Sequence, residues 1–321
     1  MTVYAGSRPS QLYRRFLRPA LKSIRRWVRD QVEALATRRA TAAGLTEAAA
    51  LASLRAPAPR QRWEGAMAMG RHPQRSTEAI AALVAALADP EPFVRWKAAA
   101  ALAGQDVTCV FHALTDALIA GQPLQRAGAA EALGRIGGEA ATNALCKQVN
   151  DPEPGVRRAL ASALGQIADP TTAVELVPML EDDNVEVRCA AARALGQIAS
   201  PGAAAPLAAA LARPGQPLLL RRALVAALTR AQHPDAQPAL LAALADPDPQ
   251  VRGYAARALG HIGNEAAHDR LAGLLTDRYA LLKGTVGDEA QAARAMLEHR
   301  GRRAAPAAPD GSGRPPGGNP S

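Results

Sequence analysis

Side chains able to do covalent or metal chemistry are few and scattered in this sequence of 321 residues, whereas side chains able to hold anions recur at fixed intervals. The six histidines, His72, His112, His233, His261, His268 and His299, form no H-x-x-E or H-x-x-x-H spacing and no His-Glu pair, so none shares a helix face with a second ligand in a known pattern. Cys109 and His112 stand at i, i+3, and two ligands do not make a metal site. No C-x-x-C, Walker loop, G-x-S-x-G or G-x-G-x-x-G occurs, so no catalytic residue, metal or cofactor is expected. Arginine is different, because its guanidinium is a planar, permanently charged fork that matches carboxylate and phosphate geometry. Arg62, Arg95, Arg126, Arg157, Arg188, Arg221 and Arg252 follow one another at intervals of 33, 31, 31, 31, 33 and 31 residues. Seven residues after each stands a large apolar side chain: Met69, Leu102, Leu133, Leu164, Leu195, Leu228 and Leu259.

A period of that size is the mark of a solenoid, in which each unit buries its apolar face against its neighbours. The fullest copy runs Asp151-Pro152-Glu153-Pro154-Gly155-Val156-Arg157, then Ala159, Ala161, Ala163, Leu164, Gly165 and Ile167. A second begins at Asp246-Pro247 and contains Val251-Arg252, Leu259-Gly260 and Ile262-Gly263. From residue 56 to about 280 the chain resembles the short HEAT-like repeat named after the phycobilisome lyases. The resemblance implies an all-α solenoid of about seven helical hairpins. It leaves function open, because that superfamily holds scaffolds, chromophore lyase subunits, a hydroxylase and DNA glycosylases.

The residues give their own reasons for this fold. Asp-Pro suits a helix start, since aspartate accepts unpaired N–H groups and proline tolerates the first turn. Val156, Ala159, Leu164 and Ile167 then form one helical stripe. Gly134, Gly165, Gly196 and Gly260 follow the leucine near the helix end, where close packing and a left-handed cap both favour glycine. A second helix is predicted in each repeat, such as Thr171 to Leu180 or Ala236 to Leu244. Three phenylalanines and four tyrosines cannot build a large aromatic core, while abundant Ala and Leu suit stacked helices. The repeat predicts one elongated unit over residues 43–300. Three cysteines without a C-x-x-C suit a reduced, cytoplasmic chain.

The net charge of +9 is concentrated at one end. Residues 1–40 hold ten Lys or Arg against Asp30 and Glu33, leaving the remainder nearly neutral. Within this arm, residues 1–42, Leu12, Phe16, Ala20, Ile24, Val28 and Val32 step by four beside Arg14, Arg15, Arg18, Lys22, Arg25, Arg26 and Trp27, so a basic amphipathic helix is predicted. It serves as a cap of the array, as a peripheral anchor on an anionic membrane surface, or as a dock for an acidic partner or nucleic acid. No apolar region follows Arg14-Arg15-Phe16-Leu17, against an export signal, and no stretch is long enough to span a membrane. Asp288 to Glu298 reads as a capping helix. Residues 301–321, rich in Pro, Gly and Ala, read as a disordered tail.

The resemblance also implies which arginines are occupied: equivalent residues in HEAT-like families form an Asp–Arg ladder between adjacent repeats, here Asp89, Asp151, Asp182 and Asp246 with the repeat arginines. Counted from the repeat arginine, the face opposite the stripe is centred on positions +1, +5 and +9. It carries Trp63, Trp96, Arg135, Arg158, Arg193, Arg222, Arg230, Arg257 and His261, and HEAT resemblance places these on the concave surface. Glu131 is the one acid there, so a basic groove suited to an acidic protein partner is expected. Trp63 and Trp96 form an aromatic platform in it or lie under the N-terminal helix. Reversing Arg193 and Arg222 together is expected to leave stability nearly unchanged, as for exposed charges. The expected function is a non-enzymatic scaffold. The alternatives are a phycobilin lyase-like or chaperone-like subunit, and nucleic-acid backbone binding as in HEAT-like DNA glycosylases, with Glu131 as the one candidate acid.

Overall fold

The computed structural model describes residues 46–71 and 76–304. The predicted basic arm, with Arg14, Arg15, Phe16, Arg18, Lys22, Arg25, Arg26 and Trp27, lies outside them, as does His72. Among the described residues there is no strand, only a single antiparallel bridge between Ala280 and Thr285. Where the repeat predicts one continuous unit, the chain divides into two compact ones, Met1–Ile136 and Gly137–Ser321. The boundary falls at Gly137-Gly138, both with positive φ (71° and 81°), a conformation glycine adopts without steric cost.

In the N-terminal unit the helices are α1 (Glu47–Leu54), α2 (Pro59–Met69), α3 (Thr77–Ala86), α4 (Pro92–Ala103), α5 (Val107–Ala120) and α6 (Pro123–Ile136). The arginine-bearing helices α2, α4 and α6 pack in one layer and α1, α3 and α5 in a second, with each hairpin closed by contact between its two members. The C-terminal unit repeats the plan. Its arginine layer is α8 (Pro154–Ile167), α10 (Val185–Ile198), α12 (Leu218–Ala231) and α14 (Pro249–Ile262). Its second layer is α7 (Gly138–Cys146), α9 (Ala173–Leu176), α11 (Ala204–Ala212), α13 (Gln237–Ala243) and α15 (Glu265–Ala272). The last helix, α16 (Val286–Ala304), packs on α14 and so occupies the place of one more arginine helix. It extends past Gly301, where the sequence placed the start of the tail.

Both units are thus stretches of α-solenoid held by the predicted core. Met69, Leu102, Leu133, Leu164, Leu195, Leu228 and Leu259 are all fully buried. Other local expectations shift. The predicted helix Thr171–Leu180 is broken into a 3-10 turn (Pro170–Thr172), the four residues of α9 and a second 3-10 turn (Pro178–Glu181). Pro178 explains the break, since proline lacks an N–H and clashes with the carbonyl four residues back. Asp89, Asp151 and Asp246, each of which opens an Asp-Pro motif, are not helix caps either. The N-caps of α4, α8 and α14 stand two residues later, at Glu91, Glu153 and Asp248. Asp89, Asp151 and Asp246 instead accept the N–H two residues on, at 2.9, 2.9 and 2.8 Å.

The glycines after the leucines serve packing alone. A Cβ on Gly165 or Gly196 would lie 2.7 Å from Cα of Ala194 or Ala227, and one on Gly260 would lie 2.9 Å from Cα of Ala293. The left-handed cap falls on other residues, Ala168 (φ 58°), Ala199 (φ 51°) and Gln232 (φ 46°). A non-glycine residue there costs about 1–2 kcal/mol, of which roughly 0.4–1 kcal/mol is offset by the greater unfolded-state freedom of glycine. Ala199→Gly should therefore stabilise the protein by roughly 0.5–1 kcal/mol, a rise of about 1–4 °C in thermal midpoint for a unit of this size.

Candidate partner-binding face

The position of the exposed face depends on what fixes each arginine helix, and that is a clamp built from the repeat arginine. Nη1 of Arg157 donates to the carbonyls of Asp151 (2.9 Å) and Pro152 (3.0 Å) in its own repeat. Nε and Nη2 then fork onto the carboxylate of Asp182, at 2.6 and 2.9 Å, in the next repeat. The same bidentate grip joins Arg62 to Asp89 (2.5 and 2.9 Å) and Arg221 to Asp246 (2.7 and 3.2 Å), while Arg252 brings Nε and Nη2 to one oxygen of Asp277, Oδ2, at 2.8 Å each. The expected ladder is therefore present, with its carboxylate coming from the following repeat. Asp277, outside any Asp-Pro motif, closes the last rung.

The predicted face residues fall into two sets. Trp63, Trp96 and Arg135 belong to the N-terminal unit. Trp63 is half-buried and Trp96 is exposed, with the Arg135 guanidinium 5.3 Å and the Lys97 ammonium 5.6 Å from the Trp96 ring centre. Arg135 also donates to Glu131 at 2.9 Å, four residues earlier on α6, so that carboxylate is taken. Arg158, Arg193, Arg222, Arg230, Arg257 and His261 belong to the C-terminal unit.

Within that unit the face is less basic than its sequence suggests. Arg222 forks onto Asp248, the N-cap of α14, at 3.0 and 2.5 Å. That grip holds the Asp248 carboxyl below the usual carboxylate range, against the opposing effect of burial. Arg257 forks onto Glu289 of α16, at 3.0 Å through Nε and more closely through Nη2, and lies 5.9 Å from the Tyr254 ring centre. Arg158 makes a looser contact of 3.6 Å with Glu186, both side chains being exposed. Arg193, Arg230 and His261 are exposed, and Arg193 and Arg230 have no acidic partner among the described residues. The expectation that Arg222 can be reversed without loss of stability is thereby corrected, because Arg222→Glu would set two carboxylates against each other where a clamp now stands.

The missed acids have a sequence signal. Asp248 and Glu186 lie in the first turn, or at the cap, of the next arginine helix, where a face counted along one helix does not reach. Cys189 and Gly253, at the +1 position of two repeats, and Met67, at +5 of the first, are buried. Gly253 is covered by Leu281, from the segment between α15 and α16. Burial also pushes the Cys189 and Cys146 thiols up, which disfavours the reactive thiolate. Among the described residues no group of three or more His, Cys, Asp or Glu is placed to hold a metal ion, and no helix is long and apolar enough to cross a membrane.

Residues 142–220 and 216–289 match the family model for HEAT repeats. This chain is a HEAT-repeat protein. Residues 125–151 of the HEAT array match the PBS lyase HEAT-like repeat in particular. Among solved structures, the Escherichia coli protein YibA superposes with a TM-score of 0.57 at 18% identity, over 92% of this chain and 99% of that one. The CpcE–CpcF complex of phycocyanin lyase from Nostoc sp. PCC7120 matches at 24% identity over 79% and 95% of the two chains, with a TM-score of 0.37. Human deoxyhypusine hydroxylase in complex with glycerol matches at 24% identity over 84% and 99%, with a TM-score of 0.34. These likenesses are of fold, and the last two superpositions carry neither enzyme's chemistry over to this HEAT protein. No curated protein matches the chain.

Proposed function

We propose that this HEAT-repeat protein is a scaffold that binds an acidic protein segment along Arg158, Arg193 and Arg230 of its C-terminal unit. The observation that carries this reading is the arrangement of exposed cations on three successively packed helices, α8, α10 and α12. Counted from the repeat arginine, they stand one, five and nine residues along. Each step advances about 6 Å along the helix and about 9 Å across to the next, so neighbouring cations are about 11 Å apart on a diagonal. A polyproline II chain has three residues per turn and rises about 3.1 Å per residue, so acids at every third position of such a partner lie on one face about 9 Å apart, close to that spacing.

The test uses a fluorescent peptide with glutamate at every third position. Binding should weaken steeply with salt, as expected for exposed charges. Arg193→Glu with Arg230→Glu should weaken it at least tenfold while leaving the thermal midpoint nearly unchanged. The control, Arg222→Glu, should melt earlier because it breaks a clamp. An unaltered affinity in the double variant would refute the assignment, and preferential binding of duplex DNA would replace it with nucleic-acid binding.

A further inference from the structure

One clamp of the C-terminal unit lacks its carboxylate. Nη1 of Arg188 donates to the carbonyls of Asp182 (2.6 Å) and Asp183 (3.1 Å), as Nη1 of Arg157 and Arg252 does in their own repeats. Its guanidinium is therefore held as theirs are. Yet its Nε is buried without a hydrogen-bond partner. The reason is in the next repeat. Six residues before Arg221, where Asp182 and Asp246 stand ahead of Arg188 and Arg252, the residue is Gly215. A Cβ built there meets no atom within 4 Å, so the place from which an aspartate side chain would reach is open. The flanking residues do not fill it: Arg213 is held by Glu181, and the Gln216 amide is turned onto the Ala210 carbonyl at 3.2 Å. Asp182, which could otherwise compete, is held by Arg157.

An unpaired buried donor on a cation is costly, and a carboxylate is the group this fork binds wherever the rung is complete. We infer that Arg188 and the exposed loop Arg213–Gln216 form an open carboxylate clamp, completed by an aspartate or glutamate side chain of a bound partner. The site involves none of Arg158, Arg193 and Arg230, so it stands or falls apart from the diagonal.

The arginine Nε–H signals of the full-length protein report on it directly by NMR. The first probe is sodium acetate at constant ionic strength. The Arg188 signal should shift saturably in the millimolar range, while those of Arg157, Arg221 and Arg252, already paired, stay in place. The second probe is a pair of short peptides differing by one Glu-to-Gln change. The glutamate form should shift Arg188 at a concentration at least about tenfold lower than the glutamine form does. Gly215→Asp should complete the rung internally and abolish both responses, aspartate being among the residues that tolerate positive φ. Should that variant fail to fold, Arg188→Lys keeps the charge, loses the fork and should lose the acetate response. An Arg188 signal unmoved by acetate, or one moving in step with the paired arginines, would overturn the clamp. Equal responses to the two peptides, or response to acetate alone, would overturn its assignment to a partner side chain.

Discussion

Leu164→Ala is expected to lower the unfolding free energy by about 2–5 kcal/mol, the range for large-to-small changes at packed sites. Leu164 is fully buried in α8, and the helices around it approach too closely to rearrange. On one side Gly165 lies against Ala194 so tightly that even a Cβ has no room, so the lost volume stays as a cavity. Gln166→Ala, two residues further on the same helix and exposed, should stay within about 0.5 kcal/mol. Chemical denaturation of both variants decides the matter, and equal losses would mean that the two faces of α8 have been misassigned.

Asp182→Asn should cost about 2–4 kcal/mol. The substitution keeps the shape of the side chain but leaves the Arg157 fork without its anion, and breaking a buried pair from one side is strongly destabilising. The estimate is set below the value for full burial because the two side chains keep 9% and 19% of their exposure. Asp183→Asn is the control. Asp183 is exposed and contributes its carbonyl to Arg188, so little should change. The same clamp gives stability a pH signature. The Arg157 guanidinium, opposed by burial, holds the Asp182 carboxyl below its ordinary value. The native state therefore binds its proton later than the unfolded chain does, at about pH 3.9 for an unperturbed aspartate. Its stabilisation is complete above that value and is lost as pH falls through the native one. Denaturation midpoints should accordingly fall more steeply below about pH 5 in the parent than in Asp182→Asn.

The core was legible because period and residue type coincide: every apolar residue seven places after a repeat arginine is fully buried, from Met69 to Leu259. The clamp was legible only in outline. Asp151 stands six residues before Arg157 in the sequence, yet what Arg157 takes from it is the backbone carbonyl, while the carboxylate it grips is that of Asp182, 25 residues later. Nothing local marks which aspartate supplies which oxygen. Arg222 was misread for a related reason. Its helix face is indeed turned away from the core, but Asp248 caps the neighbouring helix within reach. Trp63 and Trp96 occupy the same repeat position and differ in exposure, a difference set by neighbours that periodicity treats as equal. Of the diagonal, the exposed arginines could be read in advance; the acids that neutralise their neighbours could not.

Because Arg62, Arg157, Arg221 and Arg252 each reach forward to an aspartate of the following repeat, the length of the repeating unit is under a constraint of its own. Three of the complete rungs span 25 residues and the first spans 27. An internal duplication of one whole unit that carries a complete rung gives its arginine, old and new, an aspartate at the same offset. A duplication of any other length leaves a cation gripping nothing. Such an array can grow by copying only in complete modules inserted ahead of Asp277, whose carboxylate must remain at the end of the series to receive the last arginine.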